Sequence, residues 1–188
     1  DRIGMFVNVC FSQFEELKGI VLYAGAVAYA IQLYMDFSGC VDICRGISGM
    51  FGVELISNFN RPYLSNSIKE FWSRWHISLS SWLKDYVYIP LGGNRKGKAK
   101  KYRNLLLTFL VSGLWHGAAW NFVLWGLLYA VLLLAEKFIP GLRKLPRVLG
   151  HLYVLLAVLL TPGGVALSVV LGLIFRYAVR FEKDASKM

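Results

Sequence analysis

Charged residues are scarce in this 188-residue chain, and acidic residues are the scarcer kind. Charged residues make up 17% of the chain, whereas a soluble domain carries about 25%. Eleven acidic residues against 21 basic ones leave a formal net charge of +10. The hydrophobic fraction of 56% excludes a disordered chain, because disorder requires too little apolar surface to form a core. The composition therefore indicates an integral membrane protein with basic loops.

Several familiar signatures are also missing. Three cysteines are too few, and odd in number, for a disulfide scaffold. The sequence contains no Walker loop, GxSxG, HExxH or dinucleotide-binding glycine pattern. It starts at Asp1 without the basic, apolar and small-residue segments of a signal peptide. We therefore expect a piece of a longer protein.

Three stretches without formal charge predict membrane segments. They cover residues 19–35, 104–135 and 148–175. A helix needs about 20 apolar residues to cross the hydrocarbon core, so the first stretch crosses only if its helix continues through Asp36. The third contains a Thr-Pro-Gly-Gly sequence at residues 161–164, which should kink or split it.

The second stretch is longer than one crossing, at roughly 48 Å if straight. Gly113 and Gly117 flank His116 near its middle, which predicts a break or a re-entrant segment. Basic loops lie on both sides, with six basic residues in 95–103 and four in 137–147. Because positive loops tend to stay cytoplasmic, either this stretch enters the membrane and returns to the same side, or one of the two loops breaks the rule. We predict the first.

A tryptophan-rich segment between the first two stretches predicts a different kind of helix. Ser67 and Glu70 have the spacing of a capping box. Seven apolar residues then recur at helical spacing, namely Ile68, Phe71, Trp72, Trp75, Leu79, Trp82 and Leu83. We predict one helix over residues 68–83, lying along the membrane interface and ending before the Pro-Leu-Gly-Gly-Asn turn at 90–94.

The three histidines are candidates for proton transfer. An ionisable side chain at membrane depth usually faces a cavity or a partner, so His116 is either a base for a hydroxyl or a histidine bonded between helices. His76 would share a helix face with Trp72 and Ser80, which favours an interfacial side chain. His151 opens the last apolar stretch, and we expect it to cap that boundary.

The remaining polar groups favour structural roles when taken alone. Asp36, Asp42 and Arg45 are expected to pair with one another near the end of a span. Cys40 and Cys44 share a helix face, and we expect buried small side chains there rather than a metal site. The basic run is more simply a topology signal with affinity for anionic lipid than a nucleic-acid site.

The combination of motifs nevertheless resembles one family. Residues 71–95, FWSRWHISLSSWLKDYVYIPLGGNR, resemble the signature of the membrane-bound O-acyltransferases, in their bacterial alginate O-acetyltransferase-like branch. Residues 111–121, VSGLWHGAAWN, resemble the family's second histidine motif, and 35–46 resemble its aspartate-serine-glycine segment. The resemblance covers about residues 20–135, within a single partial domain over 1–188. Residues 150–188 match the family poorly, with Ile-Phe-Arg at 174–176 as the one similar element.

The resemblance implies an all-α, polytopic membrane helical bundle with an interfacial amphipathic helix and a broken or re-entrant histidine-bearing helix. His116 matches the family's catalytic histidine and His76 its second functional histidine. Residues expected to line the substrate tunnel or to support it are Asp36, Ser38, Arg74, Trp75, Ser80, Asp85, Trp115 and Asn121. No metal and no tightly bound cofactor are expected, since the acyl thioester donor, acetyl-CoA or an acyl carrier, is a substrate.

The implied function is transfer of an acyl group, which the resemblance indicates is acetyl, from that donor to hydroxyls of an extracytoplasmic polysaccharide. Membrane lipid, the polysaccharide and an extracytoplasmic acetyltransferase are the expected partners, nucleic acid is not, and the bacterial inner membrane is the expected location. D-Alanyl transfer to teichoic acid is the alternative within the family. A proton-coupled transporter subunit using His116 and Asp36 is the alternative of another class, although we find no inverted repeat.

Overall fold

The computed structural model describes residues 2–13, 16–17 and 19–159, and these contain helices and turns but no strand. The α-helices of this part are α1 Arg2–Ser12, α2 Gly19–Met50, α3 Ile68–Arg74, α4 Ile77–Leu83, α5 Lys98–His116, α6 Trp120–Phe138, α7 Pro140–Arg143 and α8 Arg147–Leu159. A 3-10 turn at Pro62–Leu64 precedes α3, and a π-helical segment at Lys84–Tyr88 follows α4. The predicted all-α fold is confirmed.

Two helices are long and apolar enough to cross a membrane within the described part. They are α2, with 32 residues, and α6, with 19. The condition for the first stretch to cross, a helix that continues through Asp36, is met, because α2 runs on without a break to Met50. Two spans of this kind support the interpretation of the chain as a membrane protein.

Helices α5 and α6 form a tightly packed antiparallel hairpin. A Cβ atom added to Gly113 would overlap the carbonyl oxygen of Phe122, and one added to Gly126 would overlap that of Phe109. At the open end, the rings of Tyr102 and Phe138 lie 5.1 Å apart. The predicted break near His116 is therefore confirmed, and the chain turns back there, since small residues let the two backbones approach closely. A return to the same side of a membrane stays a prediction.

The hairpin places both basic segments at one end. The first of them, residues 95–103, is not a simple loop. Helix α5 begins at Lys98, so the first third of the run 95–103 is loop and the remaining two thirds are helix. Asn104 is fully buried and fixes the preceding turn, because its amide donates to the carbonyls of Leu91 (3.1 Å) and Gly93 (3.2 Å). The turn is thereby attached to α5.

The prediction of one helix over residues 68–83 is wrong. Half of the predicted capping box is present, since the Ser67 hydroxyl accepts from the Glu70 N–H at 3.1 Å. The Glu70 carboxylate accepts from the Asn66 N–H at 2.8 Å instead of from Ser67, and α3 ends at Arg74. The backbone turns at His76, whose φ of 43° is left-handed. Asn58 stabilises the new start of α4, because its carbonyl accepts from the Ile77 N–H and its side chain from the next N–H.

The apolar face of this region packs against protein. Ile68 and Phe71 belong to a buried core with Trp125 and Tyr129 of α6 and Val154 of α8. The helix periodicity correctly grouped four residues that lie in or pack against this core, namely Ile68, Phe71, Trp72 and Trp75, whereas Trp82 is exposed. The partner of the four is the rest of the bundle. A location at the membrane interface stays a prediction. The predicted kink at 161–164 and the Ile-Phe-Arg element at 174–176 lie outside the described residues.

The polar end of α2 departs from the sequence interpretation in two ways. Asp42 and Arg45 form the expected ion pair at 3.4 Å, but no ion pair to Asp36 occurs among the described residues. Cys40 and Cys44 are free and exposed, so the expectation of buried side chains is wrong. Both face outward because this helix packs on α1, α8 and the chain around residue 63 mainly through its first half.

Candidate active site

Two histidines from separate motifs line one cavity. His76 lies at the break between α3 and α4, and His116 is the last residue of α5. The cavity has a volume of about 150 Å³, and its lining is mostly apolar and aromatic, drawn from α2, α3, α6 and α8. The fold thus brings together two side chains that exchange protons near neutral pH.

His116 is held at the tip of the α5–α6 hairpin. Its ring lies 5.0 Å from that of Trp125, edge to face, and 6.0 Å from that of Phe122. Gly117 follows with a φ of 155°, and a Cβ there would come within 2.8 Å of the Phe122 ring. The imidazole is otherwise exposed. These rings therefore hold one side of His116, and the other side is open to a substrate.

His76 is held by rings and by its unusual backbone. Its imidazole lies 4.8 Å from the Phe37 ring and 6.5 Å from the Phe59 ring, and the Ser78 hydroxyl lies 3.5 Å from Nδ1. Burial lowers the pKa of His76 from its ordinary value of 6.5, and the nearby His116 lowers it further. The neutral imidazole, which can accept a proton, is therefore favoured at pH 7.

An aromatic frame joins α2 to the two histidines. The Tyr63 hydroxyl donates to the Ala30 carbonyl of α2 at 2.8 Å. The rings of Tyr63 and Tyr34 both lie 6.1 Å from that of Trp75, and Trp75 stacks on Phe71 at 5.6 Å. These rings exclude water from one side of the cavity and fix the chain just before His76.

A second, larger cavity adjoins the first and is bordered by lysines. It has a volume of about 510 Å³ and shares Trp72, Leu79 and Ser112 with the histidine cavity. Its lysines come from four different places in the chain, and they are Lys69, Lys84, Lys101 and Lys137. No carboxylate lines it among the described residues. The arrangement favours an anionic group at the cavity border.

The lysines crowd one another. A hydrogen bond with Lys137, together with repulsion from that residue and from Lys69, lowers the pKa of Lys101. The Lys137 ammonium also lies 4.8 Å from the centre of the Tyr102 ring. Like charges this close repel unless an anion is bound between them, so a phosphate-bearing ligand would relieve the repulsion.

A third cavity adjoins the histidine cavity at α2. It has a volume of about 350 Å³, shares Leu33 and Phe37 with the histidine cavity, and includes Gln32 and Asp36 in its lining. The Gln32 side-chain oxygen is buried without a hydrogen-bond partner among the described residues. The three cavities thus follow one another, with the lysines at one end and polar α2 side chains at the other.

The structure brings together only some of the predicted site residues. Trp75, His76 and His116 line the histidine cavity, Ser80 lines the lysine cavity and Asp36 the third. The other five line none of these cavities: Ser38, Arg74, Asp85, Trp115 and Asn121.

For four of these five residues, the structure shows either a local contact or an exposed side chain. Arg74 forms an ion pair with Glu70 at 2.6 Å, and the Ser38 hydroxyl contacts the Met35 carbonyl at 3.5 Å. Asp85 is exposed, and the exposed Trp115 ring lies 5.8 Å from that of Trp82. Asn121 is partly buried. Their supporting roles stay predictions.

Several residues of the site could not be predicted from the sequence. Phe37, Tyr63 and Trp72 line the histidine cavity but lie far apart in the chain, and no periodicity links them. The lysine cluster could not be predicted either, because only the hairpin brings Lys137 of α6 to the level of Lys101. The available signal was the predicted hairpin, because a hairpin brings the start of α5 next to the end of α6.

With this geometry established, comparison with known proteins identifies the family. Residues 5–159 match the membrane-bound O-acyltransferase family. The chain belongs to this family. The match extends beyond the region of about 20–135 in which the motifs occur, and it includes α1 and α8.

Named relatives include two O-acetylating enzymes and a D-alanyltransferase. A probable alginate O-acetylase of Pseudomonas fluorescens is 49% identical over 147 residues, which are 78% of this chain and 29% of that protein. A peptidoglycan O-acetyltransferase of Helicobacter pylori is 43% identical over 157 residues, or 81% of this chain and 30% of that protein. A teichoic acid D-alanyltransferase of Bacillus subtilis is 34% identical over 76% of this chain and 39% of that protein. The chain thus spans less than a third of the first two relatives.

Proposed function

We propose that this chain contains the acyl-transfer site of a membrane enzyme that acetylates hydroxyls of an extracytoplasmic polysaccharide. The observation that carries the proposal is the shared cavity of His76 and His116, which come from two separate family motifs. The higher identity to the two O-acetylating relatives than to the D-alanyltransferase supports acetyl as the group transferred.

The chemistry requires a base, an accessible thioester and an acceptor hydroxyl. The neutral His116 imidazole takes the proton as the hydroxyl oxygen attacks the thioester carbonyl carbon. A carbon–oxygen bond forms, the carbon–sulfur bond breaks, and the thiolate leaves with the proton that the imidazole returns. His76, held neutral by burial, orients or relays that proton from the opposite side of the cavity.

The donor enters through the lysine cavity. Acetyl-CoA and the phosphopantetheine arm of an acyl carrier both bear phosphate, which the cluster around Lys101 and Lys137 attracts. The arm then passes Trp72, Leu79 and Ser112, the residues shared by the two cavities. No tight cofactor is required, since the donor is consumed in each cycle.

The same arrangement supports a proposed location. The α5–α6 hairpin brings the basic segments 95–103 and 137–147 to one end, and positive segments stay on the cytoplasmic side. We place the chain in the bacterial inner membrane as part of a multi-pass protein, with the donor entering from the cytoplasm. The polysaccharide and an extracytoplasmic acetyltransferase that completes the transfer are the proposed partners outside.

Transfer by the full-length protein tests the function. Purified protein is supplied with labelled acetyl thioester, polysaccharide and the extracytoplasmic partner, and product is compared for wild type, His116→Gln, His76→Ala and His151→Ala. Loss of the base should lower the rate about 10²–10⁴-fold. His76→Ala should also impair transfer. His151→Ala is the matched control, because His151 contacts the Ser65 carbonyl and lies outside the cavity. Wild-type transfer by His116→Gln would contradict the proposal.

Donor binding tests the role of the lysine cavity. Lys101→Ala together with Lys137→Ala should raise the donor KM about tenfold, since loss of charge-assisted contacts to phosphate removes about 1–2 kcal/mol of binding. Lys98→Ala together with Lys100→Ala removes the same charge from exposed positions that do not line the cavity. An equal rise in KM for both pairs would indicate general attraction and contradict a specific donor site.

D-Alanyl transfer to teichoic acid is the second candidate, because the Bacillus subtilis relative covers 76% of this chain. The two candidates use the same site and differ in donor and acceptor. Competition between acetyl and D-alanyl thioesters at equal concentration separates them, and we expect acetyl to be preferred.

A further inference from the structure

Glu136, near the end of α6, is a fully buried acidic residue that the transfer chemistry does not use. It directly follows the charge-free stretch 104–135, and the sequence analysis assigns Glu136 no role. A buried carboxylate is strongly unfavourable unless it is hydrogen-bonded or paired. Its presence in the core therefore requires a partner that compensates for the lost hydration.

The main partners are backbone N–H groups at the start of α3, and the Tyr153 side chain of α8 lies close enough to interact electrostatically with the carboxylate. One carboxylate oxygen accepts from the Ile68 N–H in a short hydrogen bond, and the other accepts from the Lys69 N–H at 3.2 Å. Ser67 supplies the next acceptor, for the Glu70 N–H. The first N–H groups of a helix have no partner within the helix. In α3 two of them are satisfied by a side chain almost 70 residues away in the sequence.

This contact connects the two parts of the chain that carry the histidines. Helix α3 leads directly to His76, while α6 is the second arm of the hairpin whose first arm ends at His116. Farther along the same pair of helices, the Trp72 ring contacts those of Trp125 at 5.7 Å and Tyr129 at 5.0 Å. The carboxylate thus fixes one end of α3 on α6, and the rings fix the other.

We propose that Glu136 is a positioning residue for acyl transfer, which sets the separation of His76 and His116 by holding the start of α3 on α6. Only the expected effect on the rate of acyl transfer rests on the proposed function. Without the carboxylate, the start of α3 loses its hydrogen bonds to α6 and can shift relative to it, while the ring contacts still hold the other end. A misplacement of about 1 Å is enough to slow an oriented reaction about 10²-fold.

The main experiment compares Glu136→Ala with Ser67→Ala in the full-length protein. Each variant removes acceptors from the same helix start, but Ser67 acts within α3 and Glu136 acts between α3 and α6. We expect Glu136→Ala to lower kcat about 10- to 100-fold with little change in donor KM. Ser67→Ala should keep kcat within about twofold at a similar loss of melting temperature. Equal loss of kcat in both, or wild-type kcat in Glu136→Ala, would overturn the proposal.

A third variant covers the case in which Glu136→Ala does not fold. Glu136→Gln keeps one acceptor oxygen and nearly the same shape, so it should fold and give a kcat between those of wild type and Glu136→Ala. Wild-type kcat in Glu136→Gln with an unfolded Glu136→Ala would assign the residue to stability alone and refute positioning.

A readout independent of transfer separates this inference from the proposed function. The His76 imidazole senses the nearby His116, so a change in their separation alters the NMR titration of His76. We expect Glu136→Gln to shift that titration and Ser67→Ala to leave it unchanged. If no variant and no wild-type protein transferred acetyl, the proposed function would fail while this result still decided the positioning role.

Discussion

His76 and His116 line one cavity, but the chain places them by opposite means. His116 ends a long helix, and its position follows from the close packing of α5 on α6 at Gly113 and Gly126. His76 lies between two seven-residue helices, with left-handed backbone. The first histidine is held by a rigid scaffold and the second by side-chain contacts with distant residues. The comparison indicates that the second is the more easily displaced.

The largest expected effect comes from separating the arms of the hairpin. Gly126→Ala adds a Cβ that overlaps the Phe109 carbonyl, whereas Gly141→Ala adds one with nothing within 4 Å. Overpacking a tight contact typically destabilises by about 1–3 kcal/mol, and here it also displaces His116. We expect Gly126→Ala to lower both the melting temperature and acetyl transfer, with Gly141→Ala close to wild type. Equal melting temperatures for the two variants would show that the hairpin is loosely packed.

The sequence predicts the scaffold of His116 much better than that of His76. An apolar stretch too long for one span, with glycines around a histidine and basic residues at both ends, indicates a helix that turns back. Helix periodicity over 68–83 gives no sign of the break at His76. That break depends on Asn58, which supplies acceptors to the start of α4, and on rings from α2. Such tertiary contacts override a continuous helical pattern.

A smaller effect tests whether the backbone at His76 is strained. The left-handed conformation is unfavourable by about 1 kcal/mol for a residue with a Cβ, and glycine adopts it freely. His76→Gly and His76→Ala both remove the imidazole, so both should lose transfer. His76→Gly should be the more stable of the two by about 1 kcal/mol in chemical denaturation. A glycine variant no more stable than the alanine variant would argue against strain.

The smallest effect concerns the pKa of His76. Its pKa lies below 6.5 because of burial and, second, because of His116. His116→Gln removes the second cause, so the pKa of His76 should rise by a fraction of a unit toward 6.5. The neutral form would then be lost at a slightly higher pH as the solution is acidified. NMR titration of labelled histidine measures this, and an unchanged titration would mean that the two imidazoles do not interact.

The most direct test of the central claim, that the two histidines act as one site, is a double-mutant cycle on acetyl transfer by the full-length protein. Rates are measured for His76→Ala, His116→Gln and the variant with both changes. Groups that act as a unit give strongly non-additive effects. We predict that the double variant is about as slow as His116→Gln alone. A double variant slowed by the product of the two single effects would show independent roles and contradict the shared site.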